Sequence, residues 1–204
     1  MQDIINDQKP RCGWCGHAED YQHYHDTVWG RPELDPQRLF EKLCLDGQQA
    51  GLSWITILRK QENFRQAFYD FDPTKIVAMS DRERQALVTN KGIIRHRGKI
   101  DAIFSNAQAY LALEQQGMSF DRFIWQFVDG RPLRHQRQSF TEIPTETETS
   151  KAMSKALKKA GFRFVGPTIC YAFMQAVGLV NDHLVACHCH QEVDQLMQHT
   201  EVQV

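Results

Sequence analysis

The feature that most limits this chain is the long run between Arg97 and Gln116. Ile100, Ile103, Phe104, Ala107, Tyr110 and Leu111 recur there at i, i+3, i+4 and i+7, the period of one buried helix face. Gly117 ends the run. Other segments follow the same rule. Asp35-Pro36 reads as an N-cap with proline in the first turn, and the helix it opens carries Leu39, Phe40, Leu43 and Cys44 up to Asp46 and Gly47. Ser53 begins a helix through Trp54, Ile55, Leu58, Phe64 and Phe68. Asp72-Pro73 caps a short one, and Ser80-Asp81-Arg82-Glu83 has capping-box form, with Gly92 closing that helix. Residues 121–128 form a further helix, and Ser150 opens one to Ala160. Gly161 to Gly166 makes a hairpin, from which Pro167 starts a helix that ends at Gly178. No segment alternates as a strand does, so the fold is expected to be all-α.

With 204 residues and 42% hydrophobic content, one core can be buried in a single unit or two closely packed lobes. The expected division is a flexible leader over 1–9, one domain over 10–190, and a polar, mobile tail over 191–204. Residues 131–149, with two prolines and many Thr and Glu, read as a loop crossing between lobes. No apolar run approaches a membrane span, and the first residues lack the basic start and apolar core of a signal peptide. A cytoplasmic monomer with no membrane contact is expected. A net charge of −1 means that any nucleic-acid surface must come from segregated cations. Lys91, Arg95, Arg97, Lys99, Lys155, Lys158, Lys159 and Arg163 are the candidates, although such runs are more often solvated helix faces.

Six cysteines without a secretion signal argue against disulfides. Cys44 and Cys170 fall in apolar periodic segments and read as core. Cys12 and His25 near one end, with His183 and Cys187 near the other, make up a tetrahedral set of two thiolates and two imidazoles. Such a set leaves no open position, which makes zinc a structural ion. His183 and Cys187 share a face if their segment is helical. Joining the two ends closes a loop at a cost on the order of 4–5 kcal/mol, which metal binding would offset. Cys12-x2-Cys15 could instead be half a zinc ribbon or a redox pair, and His188, Cys189 and His190 are competing donors.

Residues 44–58 form the chemical centre of the chain. Asp46 ends one apolar-periodic segment, Trp54 opens the next, and Gly47-Gln48-Gln49-Ala50-Gly51 is expected to turn between them. That arrangement suits a pocket with a carboxylate at one edge and an aromatic wall; the plainer reading is a helix-helix turn with an exposed Asp and a core Trp. Leu45-Asp46-Gly47-Gln48-Gln49-Ala50-Gly51-Leu52-Ser53-Trp54-Ile55 resembles the signature of the DNA-3-methyladenine glycosylase I family. So do Arg11-Cys12-Gly13-Trp14, Tyr24-His25-Asp26, Gly92 through Ile100 and Gly161 through His183, in colinear order over roughly residues 10 to 190.

The resemblance implies a zinc-binding member of the helix-hairpin-helix glycosylase superfamily that acts on double-stranded DNA with alkylated bases and excises 3-methyladenine. It assigns zinc to Cys12, His25, His183 and Cys187, and DNA docking to the Gly161–Thr168 hairpin through Gly161, Gly166 and Thr168. Backbone N–H groups at the helix start would hold a phosphate there. Gly51-Leu52, at a turn tip, would fill the gap in the base stack. A flipped base needs aromatic walls: Trp54 as stacking plate and Tyr24 as second wall, with Tyr21, Trp14 and Trp29 nearby. Asp46 is the only acid in the motif able to read the base or stabilise charge on the sugar. The family typically has Glu there, and Asp reaches about 1.5 Å less, which bears on rate and preference. Asp182 is expected to orient the His183 imidazole. Lys99 and Lys155 are expected to face phosphate or water, so no Schiff base and no strand cleavage are expected. The competing reading is a catalytically weak, zinc-stapled module that binds damaged DNA.

Overall fold

The computed structural model describes residues 3–6 and 8–204. Among these, eleven α-helices carry the fold: α1 (Glu19–Thr27), α2 (Pro36–Gln49), α3 (Trp54–Leu58), α4 (Gln61–Ala67), α5 (Pro73–Ala78), α6 (Asp81–Thr89), α7 (Arg97–Gln115), α8 (Phe120–Trp125), α9 (Glu148–Lys159), α10 (Pro167–Ala176) and α11 (Cys189–Gln198). The all-α expectation holds. The predicted caps form as well. Asp35 accepts from the Arg38 amide at 2.8 Å, Asp72 accepts from Thr74 and Lys75, and Ser80 and Glu83 complete a reciprocal capping box.

Helix α2 is the central element and packs against α3, α7, α8 and α10. Leu39, Phe40 and Leu43 are fully buried on it, each contributing about 1.5–3 kcal/mol by leaving water. The Phe40 ring meets Tyr110 of α7 at 5.3 Å and Phe120 of α8 at 6.3 Å, both edge to face. A second, smaller apolar cluster joins the chain ends: Cys12, Leu184, Cys187, Cys189, Val193 and Met197.

Several boundaries differ from the sequence expectation, each for a physical reason. Helix α2 runs on to Gln49, so Asp46 and Gly47 lie inside it and the turn begins at Ala50. A side chain at Gly47 would put its Cβ 3.1 Å from the Phe164 Cβ; the glycine serves close packing here rather than a turn. The helix expected from Ser53 through Phe68 breaks at Arg59-Lys60, where the Lys60 ammonium bonds the carbonyls of Lys91 and Gly92 at 3.1 and 3.2 Å. Helix α6 stops at Thr89 because the Asn90 side chain accepts from the Gly92 amide at 2.8 Å. Thr147, not Ser150, caps α9, with Ser150 closing the box.

Four short strands form among the described residues, each too short to show alternation in sequence. β1 (Ile4–Asn6) pairs antiparallel with β2 (Pro10–Cys12), so part of the expected flexible leader is tied down; Met1, Gln2 and Asp7 lie outside the described residues. β3 (Leu133–Arg134) pairs parallel with β4 (Val180–Asn181) and anchors the crossing loop. The polar C-terminal segment is also docked. Helix α11 buries Val193 and Met197, and the Val202 amide donates to the Gly130 carbonyl at 2.9 Å.

Candidate active site and metal centre

A cavity of about 300 Å³ opens where α1, α2, α3 and α10 meet. Trp14, Tyr21, Tyr24, Trp29, Lys42, Asp46, Gln49, Trp54, Phe140, Ile143, Ala172, Gln175 and Ala176 line it. Asp46 enters from α2 and is 2% exposed. One of its oxygens, Oδ1, pairs with the Lys42 ammonium one turn earlier; Oδ2 is buried with no hydrogen-bond partner. Burial pushes the Asp46 carboxyl above its usual range, and Lys42 only partly counters this. The indole N–H groups of Trp14 and Trp54 are likewise buried without partners. Two donors and one acceptor among the lining residues are therefore buried and unpaired, a state that calls for an explanation in a native fold.

The aromatic walls are continuous. Trp14 meets Tyr21 at 5.1 Å and Trp29 at 5.0 Å, both edge to face. Tyr24 meets Trp54 at 5.5 Å with planes at 42°. A base held between those two rings would need roughly 7 Å, twice a carbon–carbon contact. Tyr24 and Trp54 thus form a corner, with no room for a base between the two rings.

The turn after α2 presents Gly51, at φ +77°, and Leu52, 41% exposed. It is fixed from below. Lys99 of α7 is buried, and its ammonium donates to the carbonyls of Gln48 at 2.8 Å and Ala50 at 2.6 Å. Gln48 donates back to the Lys99 carbonyl at 2.8 Å. A cation on the C-terminal carbonyls of a helix is favourably placed against the helix dipole, so Lys99 serves the fold rather than facing phosphate or water. Lys155, Lys158, Lys159 and Arg163 are exposed around the α9–α10 hairpin. Asn106 clamps that hairpin, accepting from the Arg163 amide at 2.8 Å and donating to its carbonyl at 3.3 Å. Gly161, Gly166 and Thr168 lie on this surface, outside the cavity.

Cys12, His25, His183 and Cys187 are buried and place one donor atom each within 4.8 Å of the others, a group that could hold a metal ion. Cys187 Sγ lies 3.5 Å from His25 Nε2 and 3.6 Å from His183 Nδ1, and Cys12 Sγ lies 3.8 Å from the same His183 nitrogen. A tetrahedral shell of two Cys and two His around zinc has edges of roughly 3.3–3.8 Å, so the donor set fits. The remaining ring nitrogens are held: His25 Nδ1 by Asp26 at 2.8 Å, His183 Nε2 by the Trp29 carbonyl at 3.2 Å. Such partners set imidazole orientation. Gly30 makes room, since a Cβ there would lie 2.9 Å from His183 Nε2.

One expectation about this region, the role of Asp182, needs correction, and two points that the sequence left open are decided. Residues 182–188 are not helical; His183 and Cys187 converge through a loop. Asp182 does not orient His183. It pairs with His135 at 2.7 Å, Tyr171 at 2.6 Å and Gln175 at 2.8 Å. Cys15 stays outside the four-donor group, its thiol turned to the Cys12 carbonyl at 3.2 Å. Of the competing donors, His188 and Cys189 form a second cluster with Asp26 that shares His25 with the first, while His190 turns to the His135 carbonyl at 3.0 Å.

The structure brings Asp46, Trp54, Tyr24, Tyr21, Trp14 and Trp29 together around one cavity. It adds Lys42, whose i, i+4 spacing from Asp46 was visible in sequence. Phe140 and Ile143 come from a segment with no sequence signal pointing here, and Gln175 from a family-like segment in which it was not singled out. Trp29 touches both centres, lining the cavity and meeting His183 edge to face at 4.6 Å.

Comparison with known proteins agrees with this geometry. The model of the methyladenine glycosylase family matches residues 14–190. DNA-3-methyladenine glycosylase 1 of Escherichia coli K12 is 57% identical over 180 residues, covering 88% of this chain and 96% of the relative. The DNA-3-methyladenine glycosylase of Haemophilus influenzae Rd is 55% identical over 179 residues, 88% of this chain and 97% of its own length. Among solved structures, a 3-methyladenine DNA glycosylase I superposes with a TM-score of 0.87 at 58% identity, covering 88% of this chain and 99% of that one. A variant of that enzyme type solved with 3-methyladenine gives 0.85 at 40% identity, covering 88% and 97%. Cavity, donor set and hairpin thus occur together in a chain that belongs to the methyladenine glycosylase family.

Proposed function

We propose that this protein is a monofunctional DNA glycosylase that hydrolyses the N-glycosidic bond of 3-methyladenine in alkylated double-stranded DNA and leaves an abasic site. The observation that carries the reading is the aromatic cavity with a buried carboxylate whose Oδ2 has no partner, in a chain 57% identical to the Escherichia coli enzyme. The target nucleotide is turned out of the duplex. The base stacks on Trp54, with Tyr24, Tyr21, Trp14 and Trp29 closing the remaining walls, and Asp46 Oδ2 accepts from its exocyclic amine.

A base methylated at N3 is cationic in DNA and leaves without a strong acid. The glycosidic bond breaks with its electron pair going to the base, which departs neutral. Water adds at the anomeric carbon and releases its proton to solvent. Asp46 is the catalytic carboxylate, stabilising the positive charge that develops on the sugar. Leu52, exposed at the turn, fills the place of the extruded base beside Gly51. The hairpin residues Gly161, Gly166 and Thr168 hold a backbone phosphate at the N-terminus of α10. Gly166 supports this role: its φ is −63° and a Cβ there would meet nothing within 4 Å, so the fold itself does not require glycine at that position. Cys12, His25, His183 and Cys187 would hold a structural zinc that ties the chain ends together and supplies no catalytic step. The protein acts as a monomer in the cytoplasm.

One observation favours the second reading, a weak module that binds damage: Lys42 already engages Asp46 Oδ1. Release of free methylated base from alkylated DNA separates the two. Wild type should release 3-methyladenine, Asp46→Asn should lower the rate about 10²–10³-fold, and Asp46→Glu should retain activity. Wild type that binds abasic-site DNA but releases nothing sinks the enzyme reading.

A further inference from the structure

Lys42 has no role in the reaction proposed above, yet it lines the cavity. It lies one helical turn before Asp46 on α2, pairs with Asp46 Oδ1, and places its ammonium 3.9 Å from the centroid of the Trp54 ring. These are the two contacts a cationic base would seek, an aromatic face and a carboxylate. Lys42 therefore partly neutralises the acid and shares the attractive face of the ring from within the protein. The cavity retains about 300 Å³ with Lys42 extended into it, within the range of small-molecule pockets. A base can enter beside the ammonium, without taking its place.

The electrostatic consequence has one sign. While Lys42 stays in the pocket, its charge repels a cationic base in a cavity largely shielded from water. It also offers the two N–H donors not spent on Asp46 to the lone pairs of a neutral one. If Lys42 instead withdrew into the neighbouring cavity, which it also lines, every base would meet the same displacement cost and no selectivity would follow.

Resting on the glycosylase reading, we propose that Lys42 is a specificity-determining residue that lowers the pocket's preference for cationic over neutral bases, admitting neutral purines that carry lone-pair acceptors on the edge facing the ammonium. The test compares two probes by quenching of tryptophan fluorescence at mildly alkaline pH. One is free 3-methyladenine, which is then neutral; the other is 3,9-dimethyladeninium, a fixed cation. Lys42→Met should tighten binding of the cation about tenfold relative to the neutral probe, while Lys42→Arg keeps the wild-type ratio. If the methionine variant does not fold, Lys42→Gln, which retains a donor without the charge, should shift the ratio the same way. An equal change for both probes, or no change in the ratio, overturns the proposal. So does failure of both probes to bind wild type and variants alike. A ratio shifted by Lys42→Met, together with a wild type that releases no base from alkylated DNA, keeps the role of Lys42 and rejects the glycosylase activity instead.

Discussion

Asp46 and Asp182 are both buried carboxylates, and their surroundings push them in opposite directions. Burial raises the Asp46 carboxyl, with Lys42 countering in part. Burial acts on Asp182 too, but hydrogen bonds from His135, Tyr171 and Gln175 outweigh it and hold that group low. An acid whose folded pKa lies below its unfolded one adds stability above the ordinary carboxylate range, and that stability is lost as pH falls through the folded value. Asp182→Asn should thus destabilise the protein by about 2–4 kcal/mol near neutrality. The gap to wild type should narrow in acid below roughly pH 4. Denaturant melts at the two pH values measure this; a pH-independent gap would mean that Asp182 acts through packing alone. Gly47 gives a second prediction at this scale. Alanine there would press on Phe164 and should cost about 1–3 kcal/mol by overpacking, read from the unfolding midpoint.

At the scale of elements, the joint between α2 and α7 decides how Gly51 and Leu52 are presented. Lys99 donates to two carbonyls at the end of α2 while Gln48 returns the bond. The turn that follows, with Gly51 and Leu52, is held at its base although its tip is exposed. Lys99→Met should weaken binding to abasic-site DNA by about tenfold and leave its dependence on salt unchanged, because no phosphate contact is lost. A salt slope that falls by roughly one would show that Lys99 touches phosphate after all. Arg163, exposed on the hairpin, should behave in the opposite way, with Arg163→Gln lowering the slope.

Over the whole molecule, the largest consequence comes from four donors drawn from opposite ends of the chain. Cys12 and His183 are 171 residues apart and 3.8 Å from each other. A metal bound there belongs to the folding equilibrium. The same residues brace the pocket, since Trp29 bonds His183 through its carbonyl and lines the cavity with its ring. Stripping the metal with a strong chelator should release one zinc per chain and lower the melting temperature by about 10 °C or more. Loss of base release should follow the loss of structure. Protein that carries no metal as purified and melts at the same temperature after chelation would remove zinc from the account.

Much of this was legible in the chain. The i, i+3, i+4 spacing through α7 and the caps at Asp35, Asp72 and Ser80 depend on neighbours within a few residues, so the helices and most of their starts follow locally. The signature around Asp46 and Trp54, with its colinear companions, carried the family, and residue chemistry nominated the four metal donors. What only the tertiary structure decided concerns partners far apart in sequence. Phe164 explains the glycine at 47, Lys99 is claimed by carbonyls 49 and 51 residues away, Asp182 is taken by His135, and the C-terminal segment docks against Gly130. Local propensity places a side chain on an element; which atoms its polar end reaches depends on how the elements pack. For that reason the carboxylate could be named from the sequence, whereas the lysine that shares its pocket was assigned by the fold.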